Sequence, residues 1–152
     1  MSAAAREALR EAVHRSGRCL DDGRYVDYVD LFAPEGEYRL EANAPELARP
    51  MTWMALGRDE LAKLLESVPA HEWPLGERTH LVAVDRIDLD GDVAVVASTF
   101  SVMRADADGR LECYAAGRYD DRWIAGADGW KLSRRVVMLR NRLLSAPSPI
   151  PL

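Results

Sequence analysis

His80 is the residue of this sequence best suited to move a proton. It stands in the run RTHLVAV, Arg78–Val84, where strand alternation gives it the same face as Val82 and Val84. An imidazole titrates near neutral pH, so on an apolar face it is a natural general acid or base. The side chains that would complete such a site cluster in Tyr25, Asp27, Tyr28 and Asp30. A His80 ring polarised by Asp30 or Asp27, with Tyr28 as donor, would serve proton abstraction or dehydration without a cofactor. The same spacing suits a histidine that bonds backbone or a helix carboxylate and simply orients strand against helix. That second arrangement is the commoner one, and spacing alone does not bring the three residues together.

Other chemistries lack their residues. There is no Gly-rich phosphate loop and no G-x-S-x-G elbow. Neither Cys-x-His nor Cys-x-x-His occurs, so the ligands of a Rieske cluster are missing. The three histidines, His14, His71 and His80, fall on a predicted helix, a loop and a strand. A facial iron site needs two of them to converge with a carboxylate, so no metal is expected in this chain. Cys19 and Cys113 are far apart and outside any C-x-x-C pair. Free thiols in a reducing cytosol are expected, with a single disulfide as the alternative.

The 152 residues carry a formal charge of -5, with no basic concentration that would call for nucleic acid or an anionic membrane. The densest cationic run, Lys131, Arg134, Arg135, Arg140 and Arg142, is split over two faces by strand alternation. Asp120 and Asp121 with Arg118 and Arg122 read as exposed cross-strand ion pairs of little energy. The aromatics Trp53, Trp73, Tyr114, Tyr119, Trp123 and Trp130 suit either a ligand pocket or a core, core being the usual use. The N-terminus turns charged at once and no apolar run approaches membrane-spanning length, so a cytoplasmic protein is expected.

The elements that must position these residues come in a helices-then-strands order. Leu9, Val13, Ser16 and Leu20 form one stripe, which predicts an amphipathic helix over residues 3–20. Asp21-Asp22-Gly23 breaks it, and Tyr25, Tyr28, Val29 and Phe32 predict a shorter second helix, stopped at Pro34-Glu35-Gly36. A short strand over Glu37–Leu40, a loop over Asn43–Pro50, an apolar run Met51–Leu56, a helix Arg58–Val68 and a loop Pro69–Gly76 follow. Three Asp-Gly pairs, at 90–91, 108–109 and 128–129, then punctuate long runs of β-formers: Val93–Arg104, Leu111–Ile124 and Trp130–Leu139. Read as type I′ hairpins they give a four-stranded antiparallel meander. Strands that long twist into a curved sheet, whose hollow the helices would close. The tail Ser145–Leu152 holds three prolines and is expected to lie extended on a surface or a partner.

Four stretches carry a resemblance to a known group. Leu20–Phe32 (LDDGRYVDYVDLF) resembles the opening of the nuclear-transport-factor-2-like (SnoaL-like) superfamily. Arg78–Val84, Tyr114–Trp123 (YAAGRYDDRW) and Gly129–Asn141 (GWKLSRRVVMLRN) resemble, within it, the small (β) subunit of aromatic-ring-hydroxylating dioxygenases. Order and spacing agree from about Glu7 to Ser145. The resemblance implies one NTF2-like domain over residues 1–152: an α+β cone with a strongly curved antiparallel sheet and N-terminal helices on its concave face. It implies a structural subunit with no catalytic residue and no cofactor of its own. The Rieske iron–sulfur cluster and mononuclear iron would belong to a large (α) subunit, and the small subunits would form a homotrimer within a hetero-hexamer that serves aromatic catabolism. Two stretches depart from the pattern: Glu37–Trp53 is short, and the tail is proline-rich where an apolar or aromatic end is expected. Two alternatives stay beside this reading. One is a stand-alone dehydratase or isomerase using His80 with Asp30 and Tyr28, and the other a small-ligand-binding module of the same fold.

Overall fold

The computed structural model describes residues 2–68, 76–146, 148 and 150–152. Helices α1 (Ser2–Asp21) and α2 (Tyr25–Asp30) lead into strands β1 (Phe32–Ala42) and β2 (Met51–Gly57) and helix α3 (Arg58–Ser67). The second half is β3 (Glu77–Asp90), β4 (Val93–Ala105), β5 (Leu111–Gly126) and β6 (Gly129–Leu139). The expected loop after α3, with His71 and Trp73, lies outside the described residues apart from Gly76. Among the described residues no helix is long and apolar enough to cross a membrane.

The six strands form one sheet in the order β2-β1-β6-β5-β4-β3. The meander β3–β6 is antiparallel throughout, as the turns and strand runs predict. The expectation of an antiparallel sheet fails at one junction: β1 lies parallel to β6, with Tyr38 opposite Arg135. There β1 covers an edge that β6 would otherwise leave unpaired. The sheet is strongly curled, and one helix shows it. Ser16 of α1 accepts a hydrogen bond from Arg135 on β6 (2.9 Å), and Asp21 of the same helix accepts one from the His80 N–H on β3 (2.8 Å). Those strands are three places apart in the sheet, and one helix touches both.

All three turns fall where the Asp-Gly pairs place them, but none is type I′. Only the glycines take positive φ: 58° at Gly91, 78° at Gly109 and 103° at Gly129. In the β4–β5 turn, the Asp106 carboxylate instead accepts the N–H groups of Asp108 and Arg110, each at 2.9 Å, which closes a three-residue loop around Gly109.

Burial follows the α1 stripe: Leu9, Val13, Ser16 and Leu20 are all buried. The second helix ends sooner than its periodicity predicts. It stops at Asp30, and Phe32 is the first residue of β1 rather than the last of α2. Pro34 and Gly36 do not stop a helix; they sit in the register break between Phe32 and Glu37, where β1 lifts off β6, the kind of place where a strand tolerates proline. The tail is the larger correction. Ile150 and Leu152 are 3% and 0% exposed and belong to the core. Proline denies this segment a backbone ladder, but the apolar side chains between the prolines still have a hollow to fill.

Candidate functional site

The hollow of the cone is the place where this fold could do chemistry, and His80 is in it. Gly17 of α1 makes room for the ring: a Cβ at Gly17 would stand 2.8 Å from the His80 Cβ. One turn further on, Asp21 takes both the His80 backbone N–H (2.8 Å) and ring Nδ1 (2.5 Å). The His80 Nε2 is buried and finds no hydrogen-bond partner among the described residues. The carboxylate that holds His80 is thus Asp21, at the end of α1, and not Asp27 or Asp30. Those two face away, Asp27 toward Arg24 (3.4 Å) and Asp30 toward Arg58 (3.1 Å), with the Asp30 side chain 60% exposed. Asp30 and Tyr28 are two apart on a helix and point to different sides. The structure therefore does not bring His80, Asp30 and Tyr28 together.

The centre of the hollow holds an ion pair, and one of its members, Asp121, reads from sequence as surface charge. Arg135 of β6 donates from Nε and Nη2 to the two oxygens of Asp121 on β5 at 2.8 and 2.7 Å, and from Nη1 to Ser16 at 2.9 Å. Both side chains are fully buried, at 1% and 0% exposure. Burial works against the guanidinium charge, but Asp121 and its hydrogen bonds outweigh it and hold the Arg135 pKa above its ordinary value. The exposed cross-strand pairing expected for Asp121 is thus corrected. Strand parity carried the signal, since Asp121 alternates in step with Tyr119 and Trp123, both buried.

Around this pair the space is taken by rings. Arg135 lies 4.2 Å over the Tyr119 ring, which stacks on Phe100 with centroids 4.3 Å apart. Tyr28, Tyr38 and Trp123 are each 0% exposed. Burial pushes the Tyr28 phenol up to about 12, against the pull of Arg135. Burial also raises Tyr38 and Tyr119, so all three phenols are held in the neutral form. Tyr119, Trp123 and Tyr114, offered as pocket or core, are core. At the rim, Arg78 lies 4.8 Å over the Tyr114 ring and donates to Ser148 at 3.0 Å, while the Tyr114 hydroxyl donates to the Ala146 carbonyl. The tail crosses the mouth of the cone here and ends inside it, where the Leu152 N–H donates to the Tyr38 hydroxyl at 3.1 Å.

Among the described residues no group of three or more His, Cys, Asp or Glu side chains could hold a metal ion. His14 lies near the Val82 carbonyl, 3.3 Å from Nε2. Cys19 and Cys113 are free thiols, one buried and one exposed, which settles the disulfide alternative against a bridge. These residues do not fit a Rieske cluster or a mononuclear iron.

With the geometry in hand, comparison with known proteins places the fold. The SnoaL-like domain family matches residues 1–136. The chain belongs to that family. Among curated relatives, the β subunit of 2-aminobenzenesulfonate 2,3-dioxygenase from an Alcaligenes species is 24% identical over 146 residues, covering 95% of this chain and 97% of that one. The hydroxylase β subunit of methanesulfonate monooxygenase from Methylosulfonomonas methylovora is 27% identical, covering 97% and 87%. Among solved structures, the β subunit of a protein assigned as an aromatic-ring-hydroxylating dioxygenase in Novosphingobium aromaticivorans superposes with a TM-score of 0.82 at 21% identity, over 95% and 94% of the two chains. A protein of that organism assigned as a scytalone dehydratase gives 0.70 at 20% identity, over 98% and 95%. The resemblance to dioxygenase small subunits and the α+β cone both hold.

Proposed function

We propose that this chain is the small, structural subunit of a Rieske-type non-haem iron oxygenase of the aromatic-ring-hydroxylating class. The observation that carries the reading is the end-to-end match to two curated β subunits, which leaves almost no part of this chain unaccounted for. The interior supports it. The groups that an acid–base enzyme of this shape would turn toward a substrate are spent here on each other: Asp121 on Arg135, Asp21 on His80, Tyr38 on the tail.

In this reading the cluster and the iron reside in a large partner subunit, and this chain supplies shape. Its contact surface is the outer face of the sheet. On β3 and β4 that face presents Leu81 and Val95, 54% and 48% exposed, with Ala83, Ala97, Thr99 and Ser101, and beside them the charged Asp85 and the Arg86–Asp88 pair. Small and apolar side chains let another subunit approach closely, and the exposed charges at their side supply a polar rim. Three copies form a ring that holds three large subunits in register, in the cytoplasm. The large subunit chooses the substrate.

The test is co-expression of the tagged chain with a large subunit encoded by a neighbouring gene that carries Cys-x-His and Cys-x-x-His motifs. The expected result is co-purification in equal amounts, with iron only in the partner, and a colourless trimer when the chain is made alone. A monomer that captures no large subunit overturns the reading. The stand-alone alternative makes the opposite prediction: turnover by the isolated chain, abolished by His80→Ala.

A further inference from the structure

The outer face of the sheet carries a cationic notch where β5, β6 and the end of β1 meet. Strand parity puts it there. Gly117 and Leu139 lie opposite each other and are buried, so Arg118 and the residue after β6, Arg140, turn to the outer face. Arg118 lies opposite Met138, and the Arg140 N–H donates to the Ala116 carbonyl at 2.9 Å. The two arginines are therefore diagonal neighbours across one strand pair, about 7–8 Å apart. The strands approach closely at this point, since a Cβ at Gly117 would collide with the Met138 carbonyl oxygen.

Both arginines line one cavity of about 410 Å³, together with Asn43 after β1, Pro50 before β2, and Met138 and Leu139 of β6. Among the described residues no carboxylate lines it, and neither guanidinium has an ion-pair or hydrogen-bond partner. Arg39 and Arg142, by contrast, are held by Glu41 and Glu46. Glu41 lies opposite Met138 but is taken by Arg39 at 3.2 Å, and Asp120 lies beyond Arg118 on the side away from Arg140. Two like charges at this spacing repel, although the chain as a whole carries a net charge of -5. An anion between them relieves that repulsion, and the planar fork of a guanidinium matches a carboxylate. The Asn43 amide adds a further donor, and the rest of the lining, Met138, Leu139 and Pro50, is apolar.

We propose that this notch binds a small organic acid, its carboxylate between Arg118 and Arg140 and its apolar body against Met138 and Pro50. The cavity has the size of sites that take small molecules. An acidic side chain of another protein would satisfy the arginines but would bring no apolar body to the rest of the lining. The inference does not rest on the assembly role, because it uses β1, β5 and β6 and not the β3–β4 face.

The probe is cyclohexanecarboxylate, titrated calorimetrically into the full chain at low ionic strength, where exposed charges are least screened. One equivalent should bind at millimolar concentration or below. Cyclohexanecarboxamide, the same body without the charge, should bind at least tenfold more weakly. So should N-acetyl-glutamate amide, which stands for an acidic side chain of another protein. Arg118→Gln and Arg140→Gln should each cost at least tenfold in affinity. Arg122→Gln, on the same face of β5 but outside the cavity, should change it less than twofold. All three positions are exposed, and native circular dichroism is checked for each variant. No binding by the full chain, equal binding of the amide or of the capped glutamate, or unchanged binding by Arg118→Gln/Arg140→Gln overturns the proposal. An equal loss in Arg122→Gln overturns it too, since that is diffuse attraction to a cationic face. NMR of the unaltered chain needs no variant: the Asn43 side-chain amide signals must shift as the acid is added, and unmoved signals overturn the proposal equally.

Discussion

The two faces of the sheet are built on opposite plans. The inner face is crowded, aromatic and locked by charge: Tyr28, Tyr38, Tyr119, Trp123, Phe100 and the Asp121–Arg135 pair fill it. The outer face of β3 and β4 is open: Leu81 and Val95 stay half in solvent among small side chains, and the Arg86–Asp88 pair is exposed beside them. Here the hollow is filled by side chains and serves packing, so what stays open to solvent is the outside of the sheet.

That contrast breaks most readily at its charged centre. Asp121→Ala strands the Arg135 guanidinium in the core, and removing one member of a buried pair costs about 3–5 kcal/mol. Urea unfolding of the isolated chain should show that loss, and Asp121→Leu/Arg135→Met should recover most of it. A cost near zero for Asp121→Ala would mean that the interior is looser than described.

Alkaline titration is the next test. A phenol ordinarily ionises at about 10. Tyr28 is pushed up to about 12 by burial, and Tyr38 and Tyr119 are raised in the same direction. A raised acid favours the folded state while protonated, so its contribution is whole below pH 10 and disappears as pH climbs through the folded value. For Tyr28 alone this is about 2–3 kcal/mol. Phenolate absorbance should show these three tyrosines ionising together with unfolding, and a gradual rise before it would contradict a sealed interior.

Gly17→Ala should cost about 1–3 kcal/mol, because the new methyl meets the His80 Cβ at 2.8 Å. His80→Gly, which removes that Cβ, should take away much of the Gly17→Ala penalty, which a double-mutant cycle measures directly. The smallest effect on stability belongs to the outer face. Ala97→Glu should leave the melting temperature of the isolated chain nearly unchanged, within about 0.5 kcal/mol, while weakening capture of the partner subunit at least tenfold. If it unfolds the chain instead, the outer face is a structural face and the contrast is lost.

The sequence was legible where a local rule decides. The α1 stripe, the three turns and the four long strands follow from side-chain period and from glycine, both properties of neighbouring residues. It was illegible where the deciding partner is far along the chain. Asp121 reads as exposed because it has charged neighbours, and Arg135 as one of a cationic run split over two faces; only their pairing across β5 and β6, with Ser16 more than a hundred positions away, makes them interior. His80 was correctly singled out as a histidine bound to a helix carboxylate. The helix was α1, because Asp21 lies one turn beyond the gap at Gly17, and no spacing rule reports such a gap. The tail was misplaced because proline speaks only of the backbone, whereas Ile150 and Leu152 are governed by the volume left for them.

The parallel pairing of β1 with β6 has a consequence for how the molecule is made. Tyr38 emerges from the ribosome almost a hundred residues before Arg135, its neighbour across that pair. Until the last strand is synthesised, β1 has β2 alone beside it, and the rings that will form the interior face solvent. Long-range pairing of this kind is slow and leaves apolar surface uncovered meanwhile. The first half of the chain therefore waits with its apolar side chains uncovered until β6 arrives to pair with β1.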